Sequence, residues 1–152
     1  MRAKYAHTNL VAKDWRALAD FYIRTFGCVA VPPERDYTGA TFDALTGIPG
    51  ARLRGMHVRM PGYADGGPTL ELFEYAPELA QAQPAVNRQG FAHIAFEVDD
   101  VPGARDEVLR AGGRAIGEIV NLTTSTGATV TLIYVTDPEG NIIELQRWKA
   151  RP

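Results

Sequence analysis

Two stretches of the chain share one pattern of apolar and polar positions. In HTNLVAKDWRALADFYIRTFG, which starts at His7, a short alternating run gives way to apolar residues three and four apart. In HIAFEVDDVPGARDEVLRAGG, which starts at His93, the period changes at the same place. Alternation predicts a strand with one buried face, and the wider spacing predicts a helix. At an offset of 86, with no gap, His7 meets His93, Asp14 meets Asp100 and Gly27 meets Gly113. Each half therefore reads as a strand, an aspartate, a helix and a closing glycine.

Local chemistry supports both helices. Asp14 suits an N-cap, where its carboxylate accepts backbone N–H groups. Trp15, Leu18, Phe21, Tyr22 and Phe26 form a broad apolar stripe, and Gly27 stands where a left-handed residue ends a helix. In the second half Asp99 or Asp100 caps, Pro102 falls in the first turn, and Ala104, Val108 and Ala111 give a thinner stripe. Each half closes on a similar strand, TLELFEY from Thr69 and NIIELQRW from Asn141. Glu71 then matches Glu144. His7 precedes Glu71 by 64 positions and His93 precedes Glu144 by 51, so the first half is 13 residues longer. The excess is expected in Arg35 to Gly50, which is rich in turn residues and has room for a short helix.

Further strands are expected in CVAVPPE, GRAIGEIV, ARLRGMHVRM and GATVTLIYVTD, with turns at PGYADGGP and DPEG. The predicted class is α+β: one domain over 1–152 made of two paired βαβββ modules, module one 1–76, a linker 77–89 and module two 90–149. A half of this size has difficulty covering its own sheet, so pairing of the halves is expected.

Composition narrows the function classes. A chain of 152 residues that is 45% apolar, with a net charge of -2 and no basic stripe, is a poor candidate for nucleic-acid binding. No apolar run is long enough to cross a bilayer, and the first residues lack the apolar core of a secretion signal. Cys28 is the only cysteine, which excludes an intrachain disulfide and fits a reducing cytoplasm; it reads as buried packing.

The repeat changes the reading of four polar residues. Singly, a histidine at a strand start is ordinarily a surface or hydrogen-bonded residue, and a strand glutamate is ordinarily solvated. Here both recur at equivalent places. If a pseudo-two-fold axis relates the halves, His7, Glu71, His93 and Glu144 converge, and two imidazoles with two carboxylates suit a divalent first-row ion.

HTNLVAKDWRALADFYIRTFG, GFAHIAFEVDDV and above all VTDPEGNIIELQ resemble the vicinal oxygen chelate superfamily, which includes glyoxalase I, methylmalonyl-CoA epimerase, extradiol dioxygenases and the fosfomycin and bleomycin resistance proteins. The resemblance spans nearly the whole chain. It implies curled mixed sheets around a metal-binding cavity, homodimerisation, and metal ligands at His7, Glu71, His93 and Glu144. The ligand pattern is closest to glyoxalase I; epimerases often carry Gln where Glu71 stands. The Arg35 to Gly50 insertion and the lack of a glutathione-binding signature depart from glyoxalase I.

A metal-dependent lyase or isomerase is therefore expected. It would act through an enediolate on a small α-oxygenated carbonyl or thioester compound, with Ni, Co, Zn, Mn or Fe as the ion. In the resembling enzymes a ligand carboxylate doubles as base, which makes Glu71 and Glu144 the catalytic candidates. The alternatives are a non-catalytic binding or antibiotic resistance protein and an Fe(II)-dependent dioxygenase. Strand alternation turns Asn9, Phe73, Glu97 and Gln146 toward the same cavity, with Phe73 as a packing wall and Glu97 at a solvated end. Tyr75 and Trp148 fit either the pocket mouth or the core. Arg52, Arg54 and Arg59 read as a solvated face. His57 has no counterpart in the repeat and is read as non-catalytic.

Overall fold

The computed structural model describes residues 1–80 and 82–149. Gln81, inside the expected linker, and residues 150–152 lie outside the described set. The chain divides into two compact units, 1–81 and 82–152.

The first unit runs β1 (His7–Val11), α1 (Trp15–Phe26), β2 (Val29–Thr38), α2 (Ala40–Thr46), β3 (Arg52–Arg59) and β4 (Thr69–Ala76). Its four strands form one open sheet in the order β1-β4-β3-β2, with β1 parallel to β4 and the other pairs antiparallel. The second unit runs β5 (Ile94–Glu97), α3 (Val101–Arg110), β6 (Arg114–Thr123), β7 (Thr129–Thr136) and β8 (Ile142–Trp148). Its order, β5-β8-β7-β6, and its strand directions repeat those of the first. The α+β class and the βαβββ order thus hold in each unit.

Each helix packs on one face of its own sheet, as its apolar stripe requires. Trp15, Leu18 and Tyr22 of α1 are buried, as are Val58, Leu70 and Leu72 of β3 and β4. In the second unit Val101 and Val108 are buried with Val135, Ile143 and Leu145, whereas Ala111, expected in the stripe, is exposed at the helix end. The alternate residues, including Glu71 and Glu144, face the other way.

Asp14 caps α1 as its position suggests, accepting from the backbone N–H groups of Arg16 and Ala17 at 3.1 and 3.0 Å. Gly27 closes the helix at φ 69°, where a β-carbon would be strained. Asp100 occupies the N-cap of α3, but its side chain makes no capping hydrogen bond. His93, expected on a strand, lies immediately before β5, whose ladder starts at Ile94 opposite Ile143.

The insertion supplies the end of β2, the short helix α2 and the loop into β3. Asp43 ties that loop closed by accepting from the N–H groups of Gly50 and Ala51 at 2.9 and 3.1 Å. In the second unit, β6 and β7 are joined instead by a turn in which Thr124 N–H reaches Ala128 O at 2.8 Å.

The DPEG turn is organised by a fully buried carboxylate. Asp137 accepts from Glu139 N–H and Asn141 N–H at 2.9 Å and from Asn141 Nδ2 at 2.7 Å. Replacing Asp137 with Ala leaves buried donors without their acceptor. It should cost about 2–4 kcal/mol in chemical denaturation, and Asn141→Ala should cost less. Burial also pushes the Cys28 thiol up to about 11. At pH 8 native Cys28 should react with iodoacetamide at least ~100-fold more slowly than the denatured chain, because little thiolate is present.

Candidate functional site

The parallel pairing of β1 with β4 places Asn9 opposite Glu71, with His7 two positions earlier on the same strand face. His7 Nε2 lies 3.4 Å from Glu71 Oε2, and Asn9 Nδ2 donates to the same oxygen at 3.3 Å. In the second unit β5 and β8 repeat this relation. His93 Nε2 lies 3.3 Å from Glu144 Oε2, and Ala95 stands opposite Glu144 in the place that Asn9 takes opposite Glu71. Each unit thus joins the histidine and glutamate singled out by the repeat. Among the described residues, no group of three or more His, Cys, Asp or Glu is gathered as a metal centre. What each unit presents by itself is a histidine–glutamate pair, half of the four-ligand set expected from the sequence and termed a half-site for that reason.

The central strands add residues that the sequence pattern did not select. His57 on β3 stands directly opposite Glu71 in the ladder, and its Nε2 lies 3.2 Å from Glu71 Oε1. Its Nδ1 is 3.1 Å from the Thr69 hydroxyl. Burial holds the His57 imidazole below its ordinary range, opposed by the Glu71 charge and reinforced by Arg35 and His7. His57 does have a structural counterpart: Tyr134 on β7 stands directly opposite Glu144. Burial raises the Tyr134 phenol, and the Glu144 charge and a hydrogen bond to that carboxylate raise it further. The Tyr134 and His93 rings are 5.1 Å apart. Glu71 follows His57 by fourteen positions and Glu144 follows Tyr134 by ten, so the repeat is out of step here. A change of residue type hides the equivalence further.

Glu71 and Glu144 are shielded, with side-chain exposures of 15% and 14%. Imidazoles stand against both, with the Asn9 amide also at Glu71, and no arginine or lysine among the described residues pairs with either. A shielded carboxylate without a fixed cation is costly. A divalent cation relieves that cost, and the nitrogen and oxygen donors present are of the kind first-row ions accept. In this sense the donors of both half-sites fit a metal.

The remaining candidates separate. Phe73 packs in a buried cluster with Phe42, Ala51 and Leu53, its ring 5.6 Å from that of His57. Phe42, from the insertion helix, stacks on Tyr75 at 6.2 Å and covers that end of the sheet face. Gly55, opposite Phe73 in the ladder, leaves room for this ring; a β-carbon there would overlap the Leu72 carbonyl oxygen and the ring itself. Gln146, at the position that Phe73 takes in the first unit, accepts from Trp148 Nε1 at 3.1 Å. Trp148 and Glu97 are exposed. Arg52, Arg54 and Arg59 pair with Asp36, Glu74 and Asp65 respectively.

A cavity of about 220 Å³ opens between the start of α1 and the β2–β3 hairpin, lined by Trp15, Arg16 and Asp36 among others. It contains none of the half-site residues, and Arg16 and Arg52 there are matched by Glu34 and Asp36 at 2.7 and 2.6 Å. A cavity whose two carboxylates, Glu34 and Asp36, are both taken up by arginines is a weaker candidate than the shielded carboxylates.

Comparison with known proteins bears on the family and the fold. The chain is 26% identical to an ethylmalonyl-CoA/methylmalonyl-CoA epimerase of Cereibacter sphaeroides over 148 residues, 97% of this chain and 99% of that protein. Its fold matches a glyoxalase family protein from Bacillus cereus with a TM-score of 0.75, at 20% identity and covering 99% and 95% of the two chains. It also matches the fosfomycin resistance protein FosX from Listeria monocytogenes, crystallised with Mn(II) and sulfate, with a TM-score of 0.56 at 15% identity and 97% and 93% coverage. These structural likenesses are of fold. Residues 4–145, nearly the whole chain, match the Glyoxalase/Bleomycin resistance protein/Dioxygenase superfamily, and the chain belongs to that superfamily.

Proposed function

We propose that this protein is a metal-dependent lyase or isomerase of the glyoxalase I type that moves a proton on the carbon beside a carbonyl. The observation that carries the reading is the pair of shielded carboxylates, Glu71 and Glu144, each beside a histidine and neither paired with an arginine or lysine among the described residues. His7, Glu71, His93 and Glu144 are the proposed ligands of a divalent ion such as Ni, Co, Zn, Mn or Fe. Bound there, such an ion would supply Lewis acidity, making the adjacent C–H more acidic and stabilising an enediolate.

The protein's own residues do the rest. Glu71 or Glu144 takes the proton and returns it to the neighbouring carbon or to the opposite face of the same one, so lyase, isomerase and epimerase outcomes share a first step. Asn9 and Gln146 offer amides to orient the polar end of a substrate, and Phe73 is the wall behind His57. Thioesters rank ahead of glutathione adducts as substrates, because the curated relative is named for epimerising two malonyl-CoA esters. The same reading carries a homodimer acting in the cytoplasm.

The test begins with chelator-stripped protein reloaded with each ion in turn. Solvent deuterium incorporation is then followed by NMR in methylmalonyl-CoA, ethylmalonyl-CoA and the hemithioacetal of methylglyoxal with glutathione. One ion should bind per chain and restore exchange in at least one of these compounds. Glu71→Ala and Glu144→Gln should each slow that exchange about 10²–10⁴-fold. Exchange that survives both substitutions, or a stripped protein that takes up no ion, would overturn the reading.

A further inference from the structure

We propose that His57 is a positioning residue that fixes which oxygen of Glu71 is presented to the metal, and that Thr69 sets the tautomer with which it does so. The inference deepens the reading of Glu71 as a ligand and rests on it.

Three groups approach Glu71, and they divide between its oxygens. His7 Nε2 and Asn9 Nδ2 meet Oε2 at 3.4 and 3.3 Å, while His57 Nε2 alone meets Oε1 at 3.2 Å. An ionised carboxylate only accepts, so in a neutral His57 ring the Nε2 that faces Oε1 is the protonated nitrogen. Nδ1 is then the acceptor, and it faces the Thr69 hydroxyl at 3.1 Å. Thr69, His57 and Glu71 form a short relay across the antiparallel β3–β4 pair, in which His57 stands opposite Glu71 and Arg59 opposite Thr69. The Phe73 ring, edge-on to the imidazole at 5.6 Å, blocks rotation on another side.

The consequence for the carboxylate is directional. Oε1 is committed to His57 from within the sheet, and Oε2 is left on the side of His7, the other proposed ligand of this unit. With His57 at Oε1 and the Asn9 amide at Oε2, the carboxylate plane is oriented and Oε2 is the oxygen turned toward His7. His57 acts on the metal through Glu71. Tyr134 occupies the equivalent ladder position, directly opposite Glu144. The position therefore carries a ring with a polar atom in both halves, imidazole in one and phenol in the other.

The protein has three histidines, so 15N-histidine labelling resolves their rings one by one. In metal-free protein, long-range 1H–15N spectra should show His57 protonated at Nε2, and Thr69→Val should shift its population toward the Nδ1–H form. Co(II) titration then reads the effect on the metal. His57→Ala should weaken Co(II) binding about 10- to 100-fold, and His57→Gln, which keeps a donor at the Nε2 position, should recover it to within about threefold. The visible Co(II) spectrum at saturation should be unchanged in both.

A spectrum altered in His57→Gln at saturation would make His57 itself a ligand and overturn the proposal. So would unchanged affinity in His57→Ala, or an Nδ1–H ring in the wild type. Should the wild type bind no metal, the proposed function falls, whereas the tautomer and its response to Thr69→Val still decide the relay. A His57→Ala protein that fails to fold leaves His57→Gln and Thr69→Val to decide it.

Discussion

Everything at the two half-sites depends on the parallel pairing of the first strand of each unit with its last. Parallel neighbours cannot be joined by a tight turn, so the chain must leave the sheet and return. In each unit it does so through a helix and two further strands, which is the βαβββ order. The helix covers one face and leaves the other for polar groups. The histidine at the start of the edge strand then lies diagonally beside the glutamate of its neighbour, at 3.4 Å in one unit and 3.3 Å in the other. That contact is between residues far apart in sequence, so it forms only when the whole unit has closed.

Register is the second constraint. Sliding β8 by one residue against β7 would turn Glu144 toward α3 and Ile143 toward the polar face. Asp137 opposes such a slip, because its buried carboxylate holds the N–H groups of Glu139 and Asn141 and so fixes the length of the turn. The longer β3–β4 turn works differently. Gly62 and Gly66 adopt positive φ, and Met60 N–H bonds Pro68 O at 3.0 Å where the strands resume. Both turns secure the same result, a donor side chain directly opposite a glutamate.

These differences explain what the sequence could disclose. Ungapped segments were legible: the run from His7 to Gly27 aligns with that from His93 to Gly113, and the caps at Asp14 and Gly27 could be read from local chemistry alone. The final strands were legible from their Glu-Leu pairs. The insertion was legible as excess length, and α2 lies within it, although part of the extra length sits in the β3–β4 turn. His57 was not legible as a site residue. Its counterpart is a tyrosine, displaced by that turn, and only the ladder shows both opposite their glutamates. The partners of Asp100 were also beyond reach, since a capping position does not ensure a capping bond.

The halves have diverged in the groups around their carboxylates while keeping the histidine and the glutamate. Where the first unit has Asn9, the second has Ala95; where the first has His57, the second has Tyr134. Two imidazoles and an amide thereby stand against Glu71, whereas Glu144 has one imidazole beside it and the Tyr134 ring opposite. The contact that persists in both units is the one that the parallel pairing itself creates. Side chains contributed by the neighbouring strands are free to differ, because changing them leaves the strand register and the histidine–glutamate contact in place.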